Sequence, residues 1–212
     1  MKGKENHGSR SGFVDHAARM IVHESGRVLS SSEVSLLPQA SQGTCWNGSA
    51  LPVPLSWSIV VDPQTLWFTC SLPGGKVCAS IGSQGQFIEG LWEADVAELF
   101  IKGEDGVYQE LNLSPSGAWW SMTLSEYRVR REQPKRPVLR EIFSSVENDR
   151  WRVVAGFEKG SLEVPILSTS RIHVSGMWYR PEPSYLSSYP AQGVAPDYHL
   201  EQCFQPISIV KV

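Results

Sequence analysis

No apolar run in this 212-residue sequence approaches the length of a membrane-spanning helix. Positive charge is not in excess either. Against 22 Asp and Glu stand 19 Lys and Arg, so the chain carries no electrostatic footprint for nucleic acid or for an anionic membrane. Cysteine is scarce: Cys45, Cys70, Cys78 and Cys203 show neither zinc-type spacing nor Cys-x-x-Cys. Cys70 and Cys203 stand in apolar surroundings and read as buried free thiols, while a Cys70–Cys78 bridge across Pro73-Gly74-Gly75 would need an oxidising compartment. No Ser-His-Asp, Cys-His or phosphate-loop constellation is present, so the isolated chain is not expected to be an enzyme. Met1 to Arg10 lacks the apolar core of a signal peptide. The expectation is a cytoplasmic protein, or an extracytoplasmic one if the start is misassigned.

What is present is enough apolar material for a core: 41% hydrophobic residues, with eight tryptophans. The length suits one antiparallel β-sandwich, read here as a domain over residues 46–212 behind a flexible tail over 1–45. Within that tail Phe13–Val22 could make a short helix and Val28–Leu37 an edge strand. Strands follow at Trp57–Val61 and Leu66–Ser71, a hairpin turned by Asp62-Pro63-Gln64. Val138–Ser144 and Trp151–Phe157 form another. A Pro165-bearing edge strand is expected over Ser161–Leu167, an alternating strand over Arg171–Trp178, and a last strand over Ile207–Val212.

The centre of the chain, Leu91–Leu124, reads as three strands and two tight turns. Ala97, Leu99 and Ile101 form an apolar set, continued by Leu111 and Leu113, then Trp120, Met122 and Leu124. Glu98, Tyr108, Glu110, Asn112 and Trp119 form the opposite set. Gly106 can close a three-residue loop. Ser114-Pro115-Ser116-Gly117 reads as a turn with Pro second and Gly fourth. That register sets Glu98 opposite Asn112 and Asn112 opposite Trp119, a row of carboxylate, amide and indole. A sugar is recognised by such a mixture, a flat apolar plate for its C–H face and planar polar groups for its hydroxyls. A solvated sheet face with one partly covered Trp has the same residues.

LWEADVAELFI, YQELNLSPSGAWW and EYR, with Pro196-Asp197-Tyr198-His199 and Cys203-Phe204 near the end, resemble the bacterial DOMON-like proteins, relatives of the family 9 carbohydrate-binding modules. The resemblance covers about residues 55–210 and implies a β-sandwich with a non-catalytic sugar site. It maps a stacking Trp onto Trp92, which would lie about 20 Å from Glu98 if the chain between them were extended. The two can share a sugar only if residues 92–94 fold back. The long segment from Arg180 to Asp197 offers Tyr185 and Tyr189 as a second wall. The expected ligand-binding set is Trp92, Glu98, Asn112, Trp119, Tyr185 and Tyr189.

The resemblance also implies calcium, for which Asp62, Asp95 and Asp105 are conceivable ligands without calcium-loop spacing. A weaker alternative is haem, as in other DOMON relatives, with Met122, Met177, His173 and His199 as candidates. A third is a ligand-free module with a protein partner. Association with glycoside hydrolases follows from the resemblance alone. The six cations between Arg128 and Arg140 read as a solvated, Pro-containing connection, with Arg128 free to pair a carboxylate near the site.

Overall fold

The computed structural model describes residues 19–73, 80–147, 150–179, 183–189 and 195–212. Two layers, antiparallel except where the strand Met20–Glu24 pairs, face each other across one core. The first runs β13 (Gln205–Lys211), β1 (Met20–Glu24), β3 (Ala50–Val61), β4 (Thr65–Pro73), β10 (Arg150–Glu158), β9 (Leu139–Glu147), with β2 (Ala40–Thr44) also on β3. The second runs β8 (Val129–Arg130), β7 (Trp119–Glu126), β6 (Tyr108–Leu113), β5 (Val96–Lys102), β11 (Arg171–Tyr179), with β12 (Pro183–Ser187) on β11. The layers are joined by β13. Its Gln205 and Pro206 pair with β11, and Ile207 onward pairs with β1. This is a β-sandwich, as the alternation predicts.

Residues pointing inward from both layers make the core. Leu55, Trp57 and Ile59 of β3, Leu66, Phe68 and Leu72 of β4, and Trp151, Val153 and Phe157 of β10 meet Leu99, Ile101, Leu111, Ile172 and Val174. All are fully or nearly fully buried, and sandwiches draw most of their stability from this interdigitation. The β3–β4 hairpin turns where expected, with Val61 opposite Leu66. The β9–β10 hairpin also forms, though residues 148 and 149 of its turn lie outside the described residues.

Three local expectations are corrected. Met20–Glu24 is a strand, not the end of a helix, and lies between β13 and β3 in parallel with both. Val28–Leu37 holds a four-residue helix, α1 (Ser31–Val34), instead of an edge strand. Ser30 and Glu33 close a capping box, a local signal that outweighs the strand reading. The edge strand falls later, at β2, so residues 20–44, read as tail, contribute three elements to the fold. Ser161–Leu167 is a short 3-10 turn and irregular chain, not a strand. Among the described residues, no helix is long and apolar enough to cross a membrane.

Candidate functional site

The site is built on the outer face of β5, β6 and β7. Between β5 and β6, Gly106 adopts φ +86 in a three-residue loop closed by Gly103 N–H···O Val107 at 2.9 Å. That sets Glu98 opposite Asn112 and Leu99 opposite Leu111, as the sequence predicts. Between β6 and β7 the same device recurs. Gly117, at φ +79, is the third residue of the loop, and Ser114 N–H bonds Ala118 O at 2.9 Å. The sequence reading closed this loop one residue too early. Asn112 therefore lies opposite Trp120, and Leu113 opposite Trp119.

One residue of register exchanges the faces of β7. Trp119 is in the core, edge-on to Phe87 at 4.8 Å and tilted against Phe157 at 5.4 Å, with its Nε1 donating to Gly85 O. It is not available as a stacking plate. Trp120, Met122 and Leu124 take the outer face. The inner face of β7 carries Ser121 and Thr123 instead. Ser121 Oγ accepts from fully buried Gln109, whose Oε1 accepts from the backbone N–H groups of Glu163 and Val164.

The outer face floors a cavity of about 340 Å³, lined by Trp92, Glu98, Phe100, Glu110, Trp120 and Met122, and closed by Tyr185, Tyr198, His199 and two rim arginines. Trp92 reaches it because residues 91–93 form a 3-10 turn after Gly90, whose φ of +91 folds the chain back. The fold-back required for Trp92 and Glu98 to share a site is thus present. Trp92 meets Trp120 edge to face at 5.2 Å. Tyr185, on β12, lines the cavity, whereas Tyr189 is not among its lining residues. Asn112 is fully buried in the row between Glu98 and Trp120.

Two carboxylates are held in this floor. Ser175 Oγ–H donates to Glu98 Oε2 at 2.8 Å, and Asn112 Nδ2 donates to Glu110 Oε1 at 2.8 Å. Burial, then the charge of Glu110, pushes the Glu98 carboxyl well above its ordinary range. Burial also raises Glu110, against the lowering effects of the Asn112 bond and the two arginines. Glu110 and Trp120 were missing from the expected set. Period two from Asn112 gives Glu110, and reading Gly117 as the left-handed loop residue gives Trp120.

The rim is a hydrogen-bonded network. Arg128, at φ +57, is the non-glycine residue with positive φ among the described residues, and its N–H donates to Tyr108 Oη at 3.1 Å. Its guanidinium pairs with Asp197 at 3.0 Å, as the Tyr-Arg resemblance anticipates, and Tyr127 Oη donates to the same carboxylate at 2.6 Å. His199, one of the haem candidates, bonds Tyr108 Oη through Nδ1 and lines the cavity. Burial, reinforced by Arg128, lowers its pKa to about 4, so the ring is neutral at pH 7. His173 is fully buried, stacked on Phe100 and bonded to Ser187 Oγ, and is not among the lining residues.

The calcium candidates do not converge. Asp62 turns the β3–β4 hairpin in the other layer, while Asp95 and Asp105 flank opposite ends of β5. Among the described residues, no group of three or more His, Cys, Asp or Glu could hold a metal ion. Cys45, Cys70 and Cys203 are buried free thiols, as read for Cys70 and Cys203. Cys78 lies outside the described residues.

No family model matches the sequence, and no curated protein matches it. The fold has solved counterparts. A protein from Bacteroides uniformis assigned as carbohydrate-binding superimposes with a TM-score of 0.67 at 13% identity, over 89% of this chain and 98% of its own. A family 9 carbohydrate-binding module from Caldicellulosiruptor kristjanssonii in complex with glucose matches at TM-score 0.57 and 9% identity, over 92% and 97%. The cellotriose complex of a family 9 module from the same organism matches at 0.57 and 8%, over 91% and 95%. The chain thus has the β-sandwich fold of the family 9 carbohydrate-binding modules.

Proposed function

We propose that this chain is a non-catalytic carbohydrate-binding sandwich that holds a mono- or short oligosaccharide in the cavity over β5, β6 and β7. The observation that carries the reading is the joint placement of an indole pair, Trp92 and Trp120, and two buried carboxyl groups, Glu98 and Glu110, in one pocket of sugar size, with Asn112 behind them bonded to Glu110. Indole faces pack against the C–H face of a pyranose, while carboxylate and amide oxygens accept from hydroxyls. Glucose and cellotriose complexes of proteins with this fold support it. Glu98 and Glu110 are diagonal neighbours on one wall, whereas glycoside hydrolysis needs carboxyl groups flanking the scissile bond. Binding without cleavage is the chemistry that such a wall supports.

Tryptophan fluorescence titrated with glucose, cellobiose and xylo-oligosaccharides tests the reading. Several modest hydrogen bonds of about 1 kcal/mol each predict saturation at roughly micromolar to millimolar sugar. The response should vanish in Trp92→Ala. Silence with every sugar sinks the proposal. Haem remains the second reading because Met122, Met177 and His199 line the same cavity, although His173 does not. An intense violet absorbance band in the purified protein, with no sugar response, favours it. Silence in both assays leaves a protein partner as the remaining reading.

A further inference from the structure

The cavity floor carries more acceptors than donors. Each of its two buried carboxylates receives one neutral hydrogen bond, from Ser175 to Glu98 and from Asn112 to Glu110. Among the ion pairs of the described residues, neither Glu98 nor Glu110 takes part. The rim arginines are committed outward, Arg128 to Asp197 at 3.0 Å and Arg130 to Glu89 at 2.5 Å. Asn112 is fully buried in the same row and is not among the lining residues, so the floor's acceptors are the oxygens of the two carboxylates. A buried acceptor without a donor is costly, so this floor calls for a ligand that brings donors.

The walls favour a positively charged donor. Trp92, Trp120 and Tyr185 enclose the floor, and ring faces attract cations. The Arg130 guanidinium already stands 5.4 Å from the Trp120 ring centre and 6.0 Å from that of Trp92, so these indoles accept a cation at the rim. An ammonium group has three N–H donors, and the floor offers the oxygens of two carboxylates.

We infer that the cavity selects a sugar bearing a protonated amine, with its ammonium seated between Glu98 and Glu110 and its ring against Trp92 and Trp120. This inference rests on the carbohydrate reading above and narrows it to amino sugars. Acetylating the amine removes the charge and two of the three donors, so the N-acetyl sugar is discriminated against.

Calorimetric titration of the whole protein at neutral pH, with glucosamine, glucose, N-acetylglucosamine and methylammonium, tests it. Glucosamine should bind at least about tenfold more tightly than glucose or N-acetylglucosamine. The preference should fall towards unity in Glu110→Gln and in Glu98→Gln, each checked for cooperative thermal unfolding. Two variants guard against one that fails to fold. Glucose binding as tightly as glucosamine overturns the inference and leaves the carbohydrate reading standing. Methylammonium matching glucosamine while glucose is silent overturns the sugar part of both. No response to any sugar overturns both.

Discussion

The two outer faces of the sandwich treat buried carboxylates in opposite ways. On the β3–β4 side Asp62 is 1% exposed and accepts four N–H bonds, from the Leu29, Gln64 and Thr65 backbone and from Trp67 Nε1, at 2.7 to 3.1 Å. Burial pushes its pKa up, but the Trp67 and backbone bonds together hold it below the ordinary range. On the β5–β6 side Glu98 is 3% exposed and has one hydroxyl bond, and its pKa is raised. Exposure is nearly equal, but Asp62 has four donors, whereas Glu98 has one and the charge of Glu110 beside it. Around Asp62 the surface is sealed, with Leu29, Val34 and Leu37 packed over Val60, Trp67 and Val154. Around Glu98 it opens into the cavity. A carboxylate saturated by its own chain serves the fold, and one left short of donors is available to a ligand.

The contrast can be broken most severely at Asp62. Asp62→Ala leaves four buried or part-buried N–H groups without their acceptor and should cost about 3–5 kcal/mol in urea unfolding, with sugar affinity unchanged in whatever fraction remains folded. The next effect is on binding: Trp120→Ala should weaken sugar affinity at least tenfold, about 1.4 kcal/mol, in the same fluorescence titration. If affinity survives, the cavity is not the site.

A smaller effect separates the two carboxylates by pH. The depressed pKa of Asp62 gives stability that is present above its unfolded value and lost as pH falls through the folded one. The raised pKa values of Glu98 and Glu110 act the other way. They cost nothing below the unfolded value, and stability is lost as pH rises through the folded ones. Glu98→Gln should therefore flatten the loss of stability between about pH 4.5 and about 8 by on the order of 1–2 kcal/mol and leave the loss at lower pH untouched. An unchanged slope in that window means that the carboxyl is solvated. Least of all, Tyr189→Ala should change stability by less than about 0.5 kcal/mol and sugar affinity not at all, since its ring is outside the cavity lining.

The sandwich, its main hairpins and the Glu98–Asn112 pair were legible because alternation and turn residues agreed there. The β6–β7 register was not, for two physical reasons. Trp119 and Trp120 are identical in type, so the doublet fits either face. After Trp119 the inner row of β7 is also polar, with Ser121 accepting from Gln109, while the apolar Met122 and Leu124 face the cavity. An alternation rule that sends apolar residues inward therefore chose the wrong phase. Trp92 was legible through resemblance, but the turn that brings it to Glu98 needed Gly90 at positive φ, which any glycine permits and none announces. The bond that holds His199 at the rim was not legible, because its partner Tyr108 is 91 positions away in the chain.

The strand that joins the layers also sets the order of assembly. Five residues of β1 pair with β13, from Met20 with Ile207 to Glu24 with Lys211, but only two pair with β3. During synthesis β1 therefore waits for nearly the whole chain before most of its hydrogen bonds can form. Closing so long a loop is slow, and it leaves the β3 edge exposed meanwhile. Closure of this sandwich is accordingly expected to come late in folding, with the seam of β1 and β13 among the last contacts made.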